Sequence, residues 1–280
     1  MVSLIEIKAY LGIPTTDTGS DVILNIFIRA AIDAIETYCG RRFERREYKM
    51  DRHSGDNTSR LMLHQWPVIS VERIAMGTVG ALNIDGTSSG GYSATVEVTR
   101  DEGDPRESTQ LRLIINGGAN DGTNTVSFAT YTTLTTLAAQ VTTFAGWSSS
   151  AVSGYGAYKS TELIPVGALD AGQISLALDT PDDWLTGFTV DFKTGEVGDA
   201  TFPCGFQNIY VDYTAGYSKI PRDLELTVMQ IVADINSGRT VNRALRSEKI
   251  GDYSYTIAAG READASIVAK YSKDLDKYKR

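Results

Sequence analysis

The chain has 280 residues, 42% hydrophobic and 22% charged, which is enough apolar matter for one large domain or two smaller ones. Its net charge of −8 and pI near 4.9 oppose any grip on a phosphate backbone, so a relation to DNA would be passage or repulsion. Two cysteines (Cys39, Cys204) and two histidines (His53, His64) exclude a disulfide framework and, by count, a Cys/His metal cluster; no run reaches membrane-span length and residues 1–10 lack a secretory signal, so the expectation is a cytosolic chain with no membrane, metal or cofactor.

Residues 3–11 place Leu4, Ile7, Lys8 and Leu11 at helical spacing, and Gly12, Pro14 and the polar run to Ser20 break the pattern. In residues 21–43 the polar positions Asn25, Arg29, Asp33, Glu36 and Thr37 fall three or four apart among apolar residues. That spacing predicts a helix buried on most of its circumference, with one narrow wet stripe. Thr18 and Asp21 can cap its start, Gly40 can end it in a left-handed conformation, and Arg41 and Arg42 suit its carbonyl end. A helix so apolar needs partners from elsewhere in the chain or from another subunit; comparable helical patterns come only after Pro221, so the two ends of the chain should pack together. After a charged exit over residues 41–50, Leu61 and Leu63, then residues 68–74, alternate as two strands around Trp66-Pro67.

From about Thr78 the composition turns to Gly, Ser, Thr and Asn, with short alternating runs at residues 95–98, 111–115 and 125–128. Gly117-Gly118-Ala119-Asn120-Asp121-Gly122 tempts as a phosphate cradle, but it lies between strand-like runs and lacks the Gly-Lys-Ser/Thr ending of a P-loop; it reads as a hairpin loop. Leu134, Leu137, Ala138 and Val141 form a helix face, and Ile174, Leu176 and Leu178 a last strand, together a small α+β unit. Asp182-Asp183 in Pro-Asp-Asp-Trp reads as a solvated turn, without a nearby histidine or third carboxylate to make it catalytic. Phe188, Val190 and Phe192, the Thr194-Gly195 turn, and Ile209, Val211 and Tyr213 predict a β ribbon with one buried face.

Pro221 opens a helix whose core stripe is Leu224, Val228, Ile231, Val232 and Ile235, with Gly238 as its stop. Residues 253–257 alternate like a short strand. The last twenty or so residues predict a charged helix with a thin stripe of Ile267, Tyr271, Leu275 and Tyr278, too narrow to stand without docking on other helices or on a neighbour.

The two ends together resemble the head-to-tail connector (adaptor, or head completion) proteins of long-tailed bacteriophages and prophages. The matching pieces are Leu4-x-x-x-Lys8-x-Tyr10-Leu11; the Ala30-Ala31 helix ending Glu36-x-Tyr38-x-Gly40-Arg41-x-Phe43; Leu61-x-Leu63-x-x-x-Pro67-Val68; Val211-x-Tyr213-x-Ala215-Gly216-Tyr217-x-x-x-Pro221; and residues 247–254, Ser247 through Ser254. They cover residues 1–76 and 187–280, and residues 78–186 depart from the short family pattern.

The resemblance implies a helical bundle from the N- and C-terminal helices with a small antiparallel β sheet, built from residues 1–77 and 187–280; with the α+β, β-rich insert read from the residues over 78–186, the expected fold class is α+β. It implies a non-enzymatic virion protein of the neck, assembled in the host cytoplasm as a homo-oligomeric ring of about twelve subunits under the portal protein. A tail-side stopper or neck protein would sit on the other side, and genomic DNA would pass through without specific binding. Glu248, Lys249, Ile250, Gly251, Asp252, Tyr253, Tyr255 and Ile257 become portal-interface candidates, and Ile26, Arg29, Asp33, Arg41, Arg42 and Phe43 subunit-packing candidates. Two other readings stand beside it: a glycan- or surface-binding module carried by Trp147, Tyr155 and Tyr158 of the insert, and a hydrolase whose acid is Asp182 or Asp183.

Overall fold

The computed structural model describes residues 2–86, 93–100, 107–172, 175–198, 200–240, 247–250, 253–256 and 267–279. Ile174 and the start of the last predicted helix, residues 261–266, lie outside them. In chain order the elements are α1 (Leu4–Leu11), α2 (Asp21–Cys39), β1 (Arg46–Gly55), β2 (Arg60–Met62), β3 (Val68–Gly86), β4 (Ser93–Arg100), β5 (Ser108–Asn116), β6 (Gly122–Ser127), α3 (Leu134–Thr142), β7 (Trp147–Ala151) and β8 (Val166–Asp170). Then follow β9 (Leu176–Trp184), β10 (Thr189–Asp191), β11 (Glu196–Gly198), β12 (Gly205–Ala215), α4 (Arg222–Thr240), β13 (Ser247–Ile250), β14 (Tyr253–Thr256) and α5 (Ser272–Leu275). With 29% helix, 41% strand and antiparallel sheets, the chain is of the α+β class.

It divides into two compact units, Met1–Arg45 with Gly216–Arg280, and Arg46–Ala215. The first is helical. Ser3 Oγ accepts the Glu6 amide at 3.3 Å while Glu6 accepts the Ser3 amide at 2.7 Å, a reciprocal cap that starts α1, and Gly12 at φ 70° ends it. Lys8 is buried; its ammonium donates to the Asp17 carbonyl at 2.6 Å and pairs with Asp21. Asp21 is thereby engaged, and Ser20 stands at the N-cap of α2 without a side-chain cap bond, in place of the expected Thr18 and Asp21 arrangement. Gly40 does end α2 at φ 66°. Leu24, Ile28, Ala31, Ile35 and Cys39 of α2 share one core with Leu224, Val228, Ile231 and Val232 of α4 and with Val268, Tyr271, Leu275 and Tyr278. Each large apolar side chain so buried contributes about 1.5–3 kcal/mol. α4 runs on through Gly238 to Thr240 and does not stop there as expected.

The described C-terminal residues are not a continuous helix. They form tight 3-10 turns at Ile267–Tyr271 and Asp276–Tyr278 on either side of α5. Residues three apart eclipse in a 3-10 turn, which lines up Val268 with Tyr271 on the core side. Polar anchors hold the segment: Tyr271 donates to Asp234 at 2.9 Å, Tyr278 to Asp223 at 2.8 Å, and Tyr38 of α2 to Asp276 at 2.7 Å.

Among the described residues the second unit holds twelve strands and α3, arranged around two apolar clusters. One gathers Tyr48, Leu61, Leu63, Val68, Ile74, Val197, Phe202, Ile209, Val211, Tyr213 and Ala215. The other lies wholly between Ala81 and Leu178, with α3 packed on it. β3 serves both: Val68 to Ala75 pairs with β12, then Ala75 to Ile84 pairs with β9 and Leu82 to Gly86 with β7. The strand expected to end near Ile74 therefore continues to Gly86, because it exchanges partners where the composition changes. Arg73 links the two regions, donating to Asp212 at 2.5 Å and to Glu162 at 2.7 Å. β5 and β6 pair antiparallel, so residues 117–121 are the hairpin loop that was expected.

Phe188 to Tyr213 is not one ribbon: β10 pairs with β11, which pairs with β2, whereas β12 lies between β1 and β3 in another sheet. Asp182 and Asp183 stand in β9, paired opposite β3, and not in a turn.

Candidate functional site

Along α2 the exposed residues Val22, Ile26, Arg29, Asp33 and Thr37 follow one another at helical spacing on a single stripe. Its N-terminal half is apolar, with Val22 76% and Ile26 53% exposed. Its C-terminal half is charged. Arg42, beyond the Gly40 stop, reaches back to within 3.8 Å of Asp33 and pairs with Glu36. The stripe thus differs from the polar one read in the sequence: Ile26 is outside, and Glu36 is buried, where its second oxygen accepts the Phe43 amide at 3.1 Å. That carboxylate fixes the direction in which the chain leaves the helix.

Of the expected subunit-packing residues, Ile26, Arg29, Asp33 and Arg42 are on the surface, but Arg41 and Phe43 are inside the protomer, 4% and 0% exposed. The Arg41 guanidinium lies 5.0 Å over the Phe43 ring and 5.3 Å over Tyr217, and Phe43 meets Tyr278 edge-on at 5.7 Å. These two residues join the C-terminal segment to the exit of α2.

The portal-interface candidates fall on a hairpin. β13 pairs antiparallel with β14, with Glu248 opposite Tyr255, Lys249 opposite Ser254 and Ile250 opposite Tyr253. Among the described residues this ribbon pairs with no other strand. Gly251, Asp252 and Ile257 lie outside the described residues.

The aromatic residues weighed as a glycan platform are packed inward. Trp147 is 5% exposed in the core of the second unit, and Tyr155 and Tyr158 pack against that core with their rings 5.0 Å apart. Asp182 accepts the Tyr155 hydroxyl at 2.8 Å, and this bond pushes the Tyr155 phenol up in pKa.

One group with a metal-binding donor set is present among the described residues: Asp51, His53 and His64, whose ligand atoms all lie within 4.8 Å of one another. Counting histidines in the sequence missed it, because Asp51 and His53 come from β1 while His64 follows β2. The only hint in the sequence is Asp51-x-His53, whose i and i+2 side chains share a strand face.

The described residues thus present a helical unit with an exposed stripe on α2, and a hairpin. Residues 1–75 match the family model of the phage gp6-like head-tail connector protein, a stretch that takes in α1, α2, β1, β2 and the first part of β3. That family is structural and not enzymatic. No curated protein matches the chain. Among the described residues, no helix is long and apolar enough to cross a membrane.

Proposed function

We infer that this protein is a structural head-tail connector of a phage virion, located in the neck, where it contacts the portal protein on one side and a tail-side protein on the other. The observation that carries this reading is the match of residues 1–75 to a head-tail connector family. Residues 1–77 and 187–280 form the connector core in this proposal, and residues 78–186 are an insert with its own apolar cluster.

The connector acts as a homo-oligomeric ring of about twelve subunits, closed by heterologous contacts. The exposed stripe of α2 supports this: Val22 and Ile26 supply an apolar contact, and Arg29, Asp33 and Arg42 supply charges that set register. A ring of such chains, each at −8, carries on the order of a hundred negative charges, which keeps DNA in the channel mobile. The β13–β14 hairpin is the portal contact; a two-stranded ribbon is marginal alone in water and gains from a partner.

Negative-stain microscopy and light scattering of the protein, alone and mixed with its cognate portal, test the reading. Rings, free or capping the portal, are the expected result. A monomer that ignores portal at all protein concentrations overturns it.

A further inference from the structure

Asp51, His53 and His64 form a compact constellation that the connector reading does not use. Asp51 and His53 are each 3% exposed, whereas the His64 side chain is 52% exposed and opens the group to solvent. The two imidazole rings stack with centroids 4.0 Å apart and an interplanar angle of 15°. His64 Nδ1 lies 3.1 and 3.2 Å from the two Asp51 oxygens, and His53 Nε2 lies 3.4 Å from Asp51 Oδ2. Ligand atoms sharing a tetrahedral ion at about 2.0–2.1 Å stand about 3.3 Å from one another, which the Asp51–histidine separations match. The near-parallel rings keep their in-plane lone pairs in separate planes, so capture of one ion requires the exposed His64 ring to turn out of the stack.

We propose that Asp51, His53 and His64 bind a divalent transition-metal ion, zinc(II) being the expected occupant, which clamps β1 to the segment between β2 and β3. The donor set decides the class of ion. Two imidazole nitrogens and one carboxylate suit zinc, cobalt, nickel or copper, whereas magnesium and calcium take sets made of oxygen. Three protein ligands leave a fourth position for water on the open side next to His64. Tyr213 supplies the outer layer: its hydroxyl donates to Asp51 Oδ2 at 2.6 Å and orients the carboxylate. A divalent cation would neutralise a carboxylate that the fold has taken out of water. The gain goes to the smaller apolar cluster of the second unit, to which Leu63 and Tyr213 belong.

The chain has two histidines, both in this group, so an imidazole signal has one source. The full-length, tag-free protein is freed of metal with a chelator, then titrated with zinc(II) by calorimetry and thermal unfolding, and with cobalt(II) by visible absorption. The expected result is one ion per chain, a Tm that rises with the logarithm of free zinc, and a cobalt spectrum of low-coordinate nitrogen and oxygen ligation. His64→Ala, at an exposed position, should keep the apo fold by circular dichroism and lose the metal-dependent Tm shift. Tyr213→Phe should weaken binding roughly 10–100-fold without abolishing it. Cys204→Ser, removing the exposed thiol, should change nothing. The proposal is overturned if the wild-type protein shows neither heat nor Tm shift at millimolar zinc, if His64→Ala still binds, or if Cys204→Ser abolishes binding.

Discussion

At Gly216 the backbone adopts φ 108°, and a Cβ there would lie 2.4 Å from the Glu44 carbonyl oxygen. The close approach comes from the neighbouring residues: Tyr217 bridges to Glu44 and donates its amide to the Phe43 carbonyl at 2.8 Å. Only glycine meets both demands, which gives a physical reason for the glycine in Ala215-Gly216-Tyr217. Gly216→Ala should destabilise the protein by about 1–3 kcal/mol, read by urea unfolding with the native circular dichroism spectrum retained.

Asp223 anchors the C-terminal segment through Lys277 and Tyr278. Burial opposes its ionisation, but hydrogen bonds from Lys277 and Tyr278 outweigh that and hold its pKa below the usual aspartate value. A depressed folded pKa means that the contribution is complete above the unfolded value of about 3.9 and is lost as pH falls through the folded one. Acid should therefore release the C-terminal segment. Limited proteolysis should cut near Tyr278 faster at about pH 3 than at about pH 6, and Asp223→Asn should flatten that difference.

At the scale of elements, α2 has two faces with separate tasks. Its inner face, Leu24 to Cys39, holds the helical unit together, and its outer stripe begins with the exposed Val22 and Ile26. Ile26→Asp would be fatal if the helix were buried nearly all round. With Ile26 53% exposed, the monomer should stay within about 0.5 kcal/mol of wild type in chemical unfolding, while ring formation by light scattering is lost. A variant that unfolds would remove the distinction between the faces. On β14, Tyr253→Ala should weaken portal attachment in a pull-down and leave self-assembly intact.

For the molecule as a whole, the two compact units carry separate cores. The helical one joins segments more than 170 residues apart in sequence, since it takes up the chain at Met1–Arg45 and again at Gly216–Arg280. The strands between them close their own hydrogen bonds, β1 with β12 at the outer ends and β3 with β9 and β7 further in. A long interruption is tolerated on these terms, because the ends of the intervening chain are paired with each other at Arg46 and Ala215.

The sequence alone determined what depends on neighbours within a turn or two. The helical character of α2, the α4 core stripe, the Gly40 stop and the residue 117–121 hairpin loop were legible there, because a few adjacent side chains set backbone geometry and amphipathic period. The predicted burial of α2 on most of its circumference was not met: Val22 and Ile26 are exposed and Glu36 is buried. The tertiary structure decided whatever required a distant partner. Lys8 took Asp21 from its capping role; Arg42 and the Phe43 amide drew Glu36 inside; β3 ran past its composition break because β9 and β7 were there to receive it. The convergence of Asp51, His53 and His64 belongs with these, since the pleat of β1 and the path after β2 bring together two histidines that a count had dismissed. Periodicity records which face of an element is apolar, but the partner that a polar side chain meets is fixed only when the elements pack.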